Sequence, residues 1–175
     1  MSVETLSVET LSEVEPNLVR GRLGALFGEL NGALDELFAV PGSMVADADL
    51  AGVLVELPQV QARLAALQGE LLEMARGRAL AQRLGHRKLE HFLGAETALS
   101  GFEARARIRR ADWLNAFPEF HRAHAAGEMS VEHVEKIRKS LDNPRTHMAL
   151  RRSQQLLVDA ARDCSFRDFE VVCDY

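Results

Sequence analysis

Two leucine-rich stretches fix the periodicity of this chain. Leu23, Phe27, Leu30, Leu34 and Leu37 recur at intervals of 4, 3, 4 and 3, and Val60, Leu64, Leu67, Leu71 and Met74 repeat the same spacing. That period belongs to a helix whose apolar seam faces a neighbour; a half-buried strand would alternate every second residue instead. No sustained alternation occurs, and the composition is aliphatic, with one Trp and one Tyr. The expected fold class is all-α. Pro41-Gly42-Ser43 supplies turn chemistry between the two stretches. Matched seams joined by a turn predict an antiparallel helical hairpin, with a seam on a second copy of the chain as the alternative. Gly24, Gly28 and Gly32 form a ridge beside the first seam that would admit a close neighbour. Pro58 is expected to kink or restart the second helix.

The organisation along the chain follows. Residues 1–15 carry the acidic pentad SVETL twice and read as a frayed N-terminus. Residues 16–84, opened by Pro16, read as the long hairpin, and 85–175 as a helical bundle forming one domain with it. The 175 residues suffice for such a domain. In the second half, helices are expected over 88–97, from Gly101, over 119–127 before the stop at Gly127, and after a cap at Ser130. That last helix uses Val131, Val134, Ile137 and Leu141 as its core face. After a turn at Asp142-Asn143-Pro144, one helix should run to about Arg162 with Met148, Leu156, Leu157 and Ala160 apolar. Ser165 with Asp168 should open a final helix. That helix is still running at Tyr175, which predicts a longer protein.

Charge separates the halves. Residues 1–70 hold 11 acids against 3 bases, a net of −8; residues 71–175 hold 15 acids against 18 bases, a net of +3. The imbalance points the second half toward a polyanion. Cations cluster at Arg83, Arg87 and Lys88, at Arg105, Arg107, Arg109 and Arg110, and at Lys136 and Lys139. These nine are the candidate phosphate contacts, because phosphate affinity needs clustered Lys and Arg. The second group lies on the helix that Ser100 and Glu103 open as a capping box. A short helix, a tight turn and an arginine-rich second helix form a helix-turn-helix-like outline. At 100° per residue, Ala104, Ile108 and Ala111 share one side of that helix and Phe102, Ala106 and Trp113 nearly the opposite one. The helix is therefore expected to be sandwiched, with Arg105 and Arg109 on one flank and Arg107 and Arg110 on the other. Glu103–Arg107 and Arg109–Asp112 are the expected local ion pairs, and a solvated, self-paired surface is the competing reading of the arginines. Trp113 reads as a core anchor.

Catalytic patterns are missing: there is no HExxH, P-loop, GxSxG or Rossmann glycine signature. His121 and His124 form an HxxH pair, with His133 and Glu128 nearby, and read as a surface pair rather than metal ligands. Cys164 and Cys173 read as reduced, small apolar residues. No catalytic residue, metal site, cofactor or small-molecule substrate is expected. The N-terminus lacks a secretion signal and no uninterrupted apolar run reaches the ~18 residues of a span, so a cytoplasmic protein without a membrane partner is expected.

Several motifs in order also resemble a known family. They are Leu84-Gly85-His86, Phe92-Leu93, Leu99-Ser100 with Glu103-Ala104-Arg105, Phe117-Pro118, and Ala126-Gly127-Glu128-Met129-Ser130. From about Leu57 onward the chain resembles the actinobacterial 13E12-repeat family, a domain of unknown function that precedes an HNH nuclease domain in many members. The resemblance implies a helical module of a mobile-element or phage-related protein, with DNA as partner and any cleavage in an HNH endonuclease part that this chain lacks. The expected function is a DNA-binding module that positions such a nuclease. The alternative is a homodimerisation or protein-interaction module without nucleic-acid contact.

Overall fold

A computed structural model of the chain describes residues 21–140 and 147–174. Among these residues it has ten α-helices, one 3-10 turn and no strand, so the protein is an all-α, multi-helix fold. The SVETL repeat, Pro16, Leu141, the Asp142-Asn143-Pro144 turn and Tyr175 lie outside the described residues. Two compact units divide the chain, Met1–Ala51 and Gly52–Tyr175.

The first unit holds α1 (Arg22–Ala39), a 3-10 turn (Gly42–Met44) and the first turn of α2 (Asp47–Gly77). No residue of α1 is buried. Asp47 and Asp49 sit in the first turn of α2, where a carboxylate complements the helix dipole. Helix α2 continues through Pro58 without the expected restart, although a proline there removes a backbone donor.

The second unit contains the rest of α2, then α3 (Leu80–Arg83), α4 (Leu89–Glu96), α5 (Gly101–Asn115), α6 (Pro118–Ala126) and α7 (Val131–Ser140). It ends with α8 (His147–Arg152), α9 (Gln154–Asp163) and α10 (Phe166–Asp174). Punctuation follows local chemistry. Ser100 caps α5, its Oγ accepting from the Glu103 amide at 3.1 Å. Ser165 does the same for α10 through the Asp168 amide at 3.3 Å. Gly127, at φ +83, closes α6 in the left-handed region. The helix expected to run to Arg162 is broken at Ser153 into α8 and α9. Its buried residues are Leu150, Leu157, Val158 and Ala161, whereas Met148 and Leu156 are exposed.

Two apolar clusters hold the unit. The larger joins the C-terminal end of α5 to α6–α10 through Trp113, Phe117, Phe120, Met129, Ile137 and Phe169, among others. Trp113 stacks on Phe120 with centroids 5.4 Å apart and tilts against Phe117 at 5.2 Å. The smaller joins α2, α4 and α5 through Leu72, Leu93, Ala104 and Ala111, with Leu89, Phe92 and Ile108 packed against it. The side of α2 that packs into this unit is not the leucine seam. Its buried residues are Ala62, Ala66 and Leu72, and a Cβ on Gly69 would lie 3.5 Å from Ala111 Cβ. At 100° per residue this small-residue side is nearly opposite the Leu64–Leu67–Leu71 seam. Leu64 is exposed, while Leu67 and Leu71 are half-buried. Helix α2 is also long and apolar enough to cross a membrane by length and composition, with a mean hydropathy of 1.2 in its best window. One such helix is weak evidence, because core helices of soluble proteins meet the same measure.

Candidate nucleic-acid interface

Helix α5 connects both clusters, and this sets what it leaves bare. Ala104 and Ala111 face the smaller cluster; Trp113 and Leu114 enter the larger one. The sandwich expected over the whole helix therefore holds for its C-terminal half alone. In the N-terminal half the opposite side is open, and Phe102 is 69% exposed rather than buried beside Trp113.

The nine candidate cations divide by partner. Arg107 donates through Nε to Glu103 at 2.8 Å and through Nη1 to Gln68 Oε1 at 3.1 Å, tying α5 to α2. Arg110 donates to Glu135 Oε1 at 2.8 Å, and Arg138 takes the other oxygen of the same carboxylate at 2.8 Å. Burial raises the Glu135 pKa, but the hydrogen bonds from Arg138 and Arg110 outweigh it and hold the group below its ordinary value. Lys136 sits between Asp174, at 3.0 Å, and Glu170, at 3.8 Å. Lys88 lies 3.6 Å from Glu90. The remaining five, Arg83, Arg87, Arg105, Arg109 and Lys139, are exposed and make no ion pair among the described residues. Arg109 lacks its expected pair with Asp112, which turns to Arg76 at 2.5 Å instead. Arg105 reaches back over the first turn of α5, where a Cβ on Gly101 would meet its Nη1 at 3.6 Å.

The structure thus distinguishes the two flanks. Arg107 and Arg110 bind their own protein; Arg105 and Arg109, one turn apart, face solvent with Phe102 beside them. The helical wheel had placed Phe102 with Trp113 on a covered side. The two residues are eleven positions apart, roughly 16 Å along a helix, so one side can be covered at one end and bare at the other. The absence of a strongly apolar residue between them, where Ala106 stands, was the available signal.

His121, His124 and His133 make contacts within the scaffold. His124 is fully buried rather than at the surface, and its Nδ1–H donates to the Met129 carbonyl at 2.8 Å. Burial pushes its pKa below the ordinary imidazole value, against the Met129 hydrogen bond. His121 points elsewhere, with Nε2 3.8 Å from Glu70. Among the described residues no group of three or more His, Cys, Asp or Glu is placed to hold a metal ion. His133 Nδ1 lies 2.9 Å from Ser130 Oγ, the spacing of a nucleophile and its base. The backbone explains that contact differently. The Ser130 N–H donates to His133 Nδ1 at 3.2 Å and the His133 N–H to Ser130 Oγ at 3.3 Å, a capping box with histidine in the third position. The adjoining open cleft of about 380 Å³, lined by Pro58, Gln59, Gly127 and Glu128, has its Arg162 paired with Glu128 at 2.7 Å. Both cysteines are free thiols. Cys164 is exposed, contrary to its reading as a small apolar residue, and Cys173 is half-buried.

No curated protein and no solved structure matches the chain. A family model does match it, over residues 51–171, which covers α2 from Ala51 through most of α10 and includes every cation discussed above. The chain belongs to that family, described as a domain of unknown function, DUF222.

Proposed function

We propose that the second unit binds duplex DNA through the open side of the N-terminal half of α5. The observation that carries this reading is the pair Arg105 and Arg109, exposed, one turn apart and without an acidic partner among the described residues, on the side of α5 turned away from the α2–α4 cluster. Helices α4 and α5, joined across residues 97–100, then act as a helix-turn-helix in which α5 enters the major groove and Arg83 and Arg87 meet the backbone. The motif order shared with 13E12-repeat proteins supports a role in positioning an HNH nuclease domain on DNA, in the cytoplasm. Fluorescence anisotropy over a salt series tests the reading. Affinity should fall steeply with salt, and R105A/R109A should reduce the log–log slope by about 2, because each phosphate contact contributes roughly 0.9. No duplex binding at low salt, or an unchanged slope in the double variant, would refute it.

A second reading rests on α2. Val53, Leu57, Val60 and Leu64 extend the seam at 4, 3, 4 spacing, and all four are exposed. Such a stripe fits a second copy of the chain. Light scattering should then show a dimer that L57K/L64K converts to a monomer; a monomeric wild type at high concentration would exclude it.

A further inference from the structure

The phosphate contacts proposed above give affinity without sequence preference, and the same face holds one residue that phosphates cannot use. Taking Ala104 as the centre of the buried side, Arg105, Arg109 and Phe102 fall at about 100°, 140° and 160° around α5. Phe102 is 69% exposed, in the second position of a helix whose start is fixed by the Ser100 cap. An exposed phenylalanine alone is unremarkable. This one lies beside two guanidinium groups that make no ion pair among the described residues, on the side of the helix opposite the buried Ala104.

We infer that Phe102 reads the C5-methyl group of thymine in the major groove while Arg105 and Arg109 hold the adjacent phosphate backbone. The inference rests on the duplex-binding reading above. Three observations favour a methyl contact over base stacking. The face is the convex side of a capped helix, about 10–12 Å across with side chains, which matches a major groove about 12 Å wide. Phe102 to Arg109 spans about 10 Å along the axis, or three base-pair steps at roughly 3.4 Å each. Single-strand binders instead line a groove with several aromatic rings, and α5 offers Phe102 as its one exposed aromatic, since Trp113 is buried. In the major groove the apolar feature of a base edge is the thymine methyl, and the side chains that meet it are apolar.

The test compares A·T-rich duplexes containing thymine with the same duplexes containing deoxyuridine, which lacks that methyl group. Wild-type protein should bind the thymine duplex more tightly by about fourfold per methyl contacted, the equivalent of ~0.8 kcal/mol per buried carbon. F102A, folded because Phe102 is outside both clusters, should bind the two duplexes equally. R105A/R109A should weaken both while keeping their ratio. Equal wild-type affinity for the two duplexes overturns the methyl contact and leaves duplex binding standing. Tighter binding of single-stranded oligothymidine than of duplex, lost in F102A, overturns it in favour of stacking. No binding to any of these DNAs removes the reading on which the inference rests.

Discussion

Replacing Gly127 with alanine should cost far more stability than replacing Gly85, although both residues have nearly the same backbone conformation. Their φ angles are +83 and +81. Adding a Cβ in that left-handed region costs about 1 kcal/mol at either site. The surroundings differ. At Gly85 nothing lies within 4 Å of the added carbon; at Gly127 it would sit 3.1 Å from Gln59 Cβ, 3.2 Å from Gln59 O and 3.4 Å from Gln59 Cα. Two of these are main-chain atoms and the position of the third, Cβ, is set by the main chain, so no rotamer change relieves the clash. The end of α6 and the middle of α2 must separate, and overpacking of this kind costs about 1–3 kcal/mol. The expected losses are therefore about 1 kcal/mol for G85A and about 2–4 kcal/mol for G127A. In a unit of this size each kcal/mol is worth roughly 3–5 °C in Tm. Far-UV circular dichroism melts and urea titrations of the two variants supply the comparison. Equal losses would mean that the α6–α2 approach at Gln59 is not as close as described, and the reasoning would fail.

Glu135→Ala should cost about 2 kcal/mol at neutral pH, because Arg110 and Arg138 would face each other without their shared, partly buried carboxylate; Glu135→Gln should lose less, and a neutral result in urea would show that the triad holds nothing together. Burial lowers the pKa of both His124 and His133, so the folded chain favours their neutral forms relative to the unfolded chain. Above their unfolded value of about 6.5 neither state binds the proton and stability is full. As pH falls below it the unfolded chain protonates first, and stability declines through the folded values. Urea midpoints should drop as pH falls below about 6.5, and less steeply for H124N, which keeps a donor near the Met129 carbonyl and cannot titrate; a flat profile would contradict this. Burial pushes the Cys173 thiol up to about 11, so a thiol-reactive probe should modify exposed Cys164 first, and equal rates would count against that environment.

What the sequence made legible was local. Ser100 with Glu103 located the start of α5, Gly127 the end of α6, and Glu103–Arg107 an ion pair, because each depends on neighbours within one turn. What it concealed was tertiary choice. Asp112 had an arginine three residues away on its own helix, and such a pair is worth a few tenths of a kcal/mol. Arg76, thirty-six positions earlier, takes it because α2 lies alongside. The packing side of α2 was hidden for a related reason. Leu64, Leu67 and Leu71 carry the stronger hydrophobic signal, yet close helix approach favours small side chains, and Ala62, Ala66 and Gly69 form the side turned to the bundle. Apolar size and helix proximity are separate quantities, and periodicity reports the first.

The same distinction explains why one flank of α5 remains available. Four arginines at positions 105, 107, 109 and 110 look equivalent in sequence and would be equally exposed on an isolated helix. Packing α5 against α2 and α7 brings Gln68 to Arg107 and Glu135 to Arg110. Each partner converts a mobile cation into a tie between helices, and in doing so fixes the rotation of α5 about its own axis. Once that rotation is set, Arg105, Arg109 and Phe102 meet no other helix of the second unit among the described residues, and they remain on a support anchored at its other end by Trp113 and Leu114. The arginines that hold the helix and those that face solvent are thus consequences of one packing arrangement. Loosening the first pair should therefore blur the second. A helix free to roll between its neighbours would present a different residue at each angle, and affinity for any ligand on that face would fall without a single contact residue having been changed.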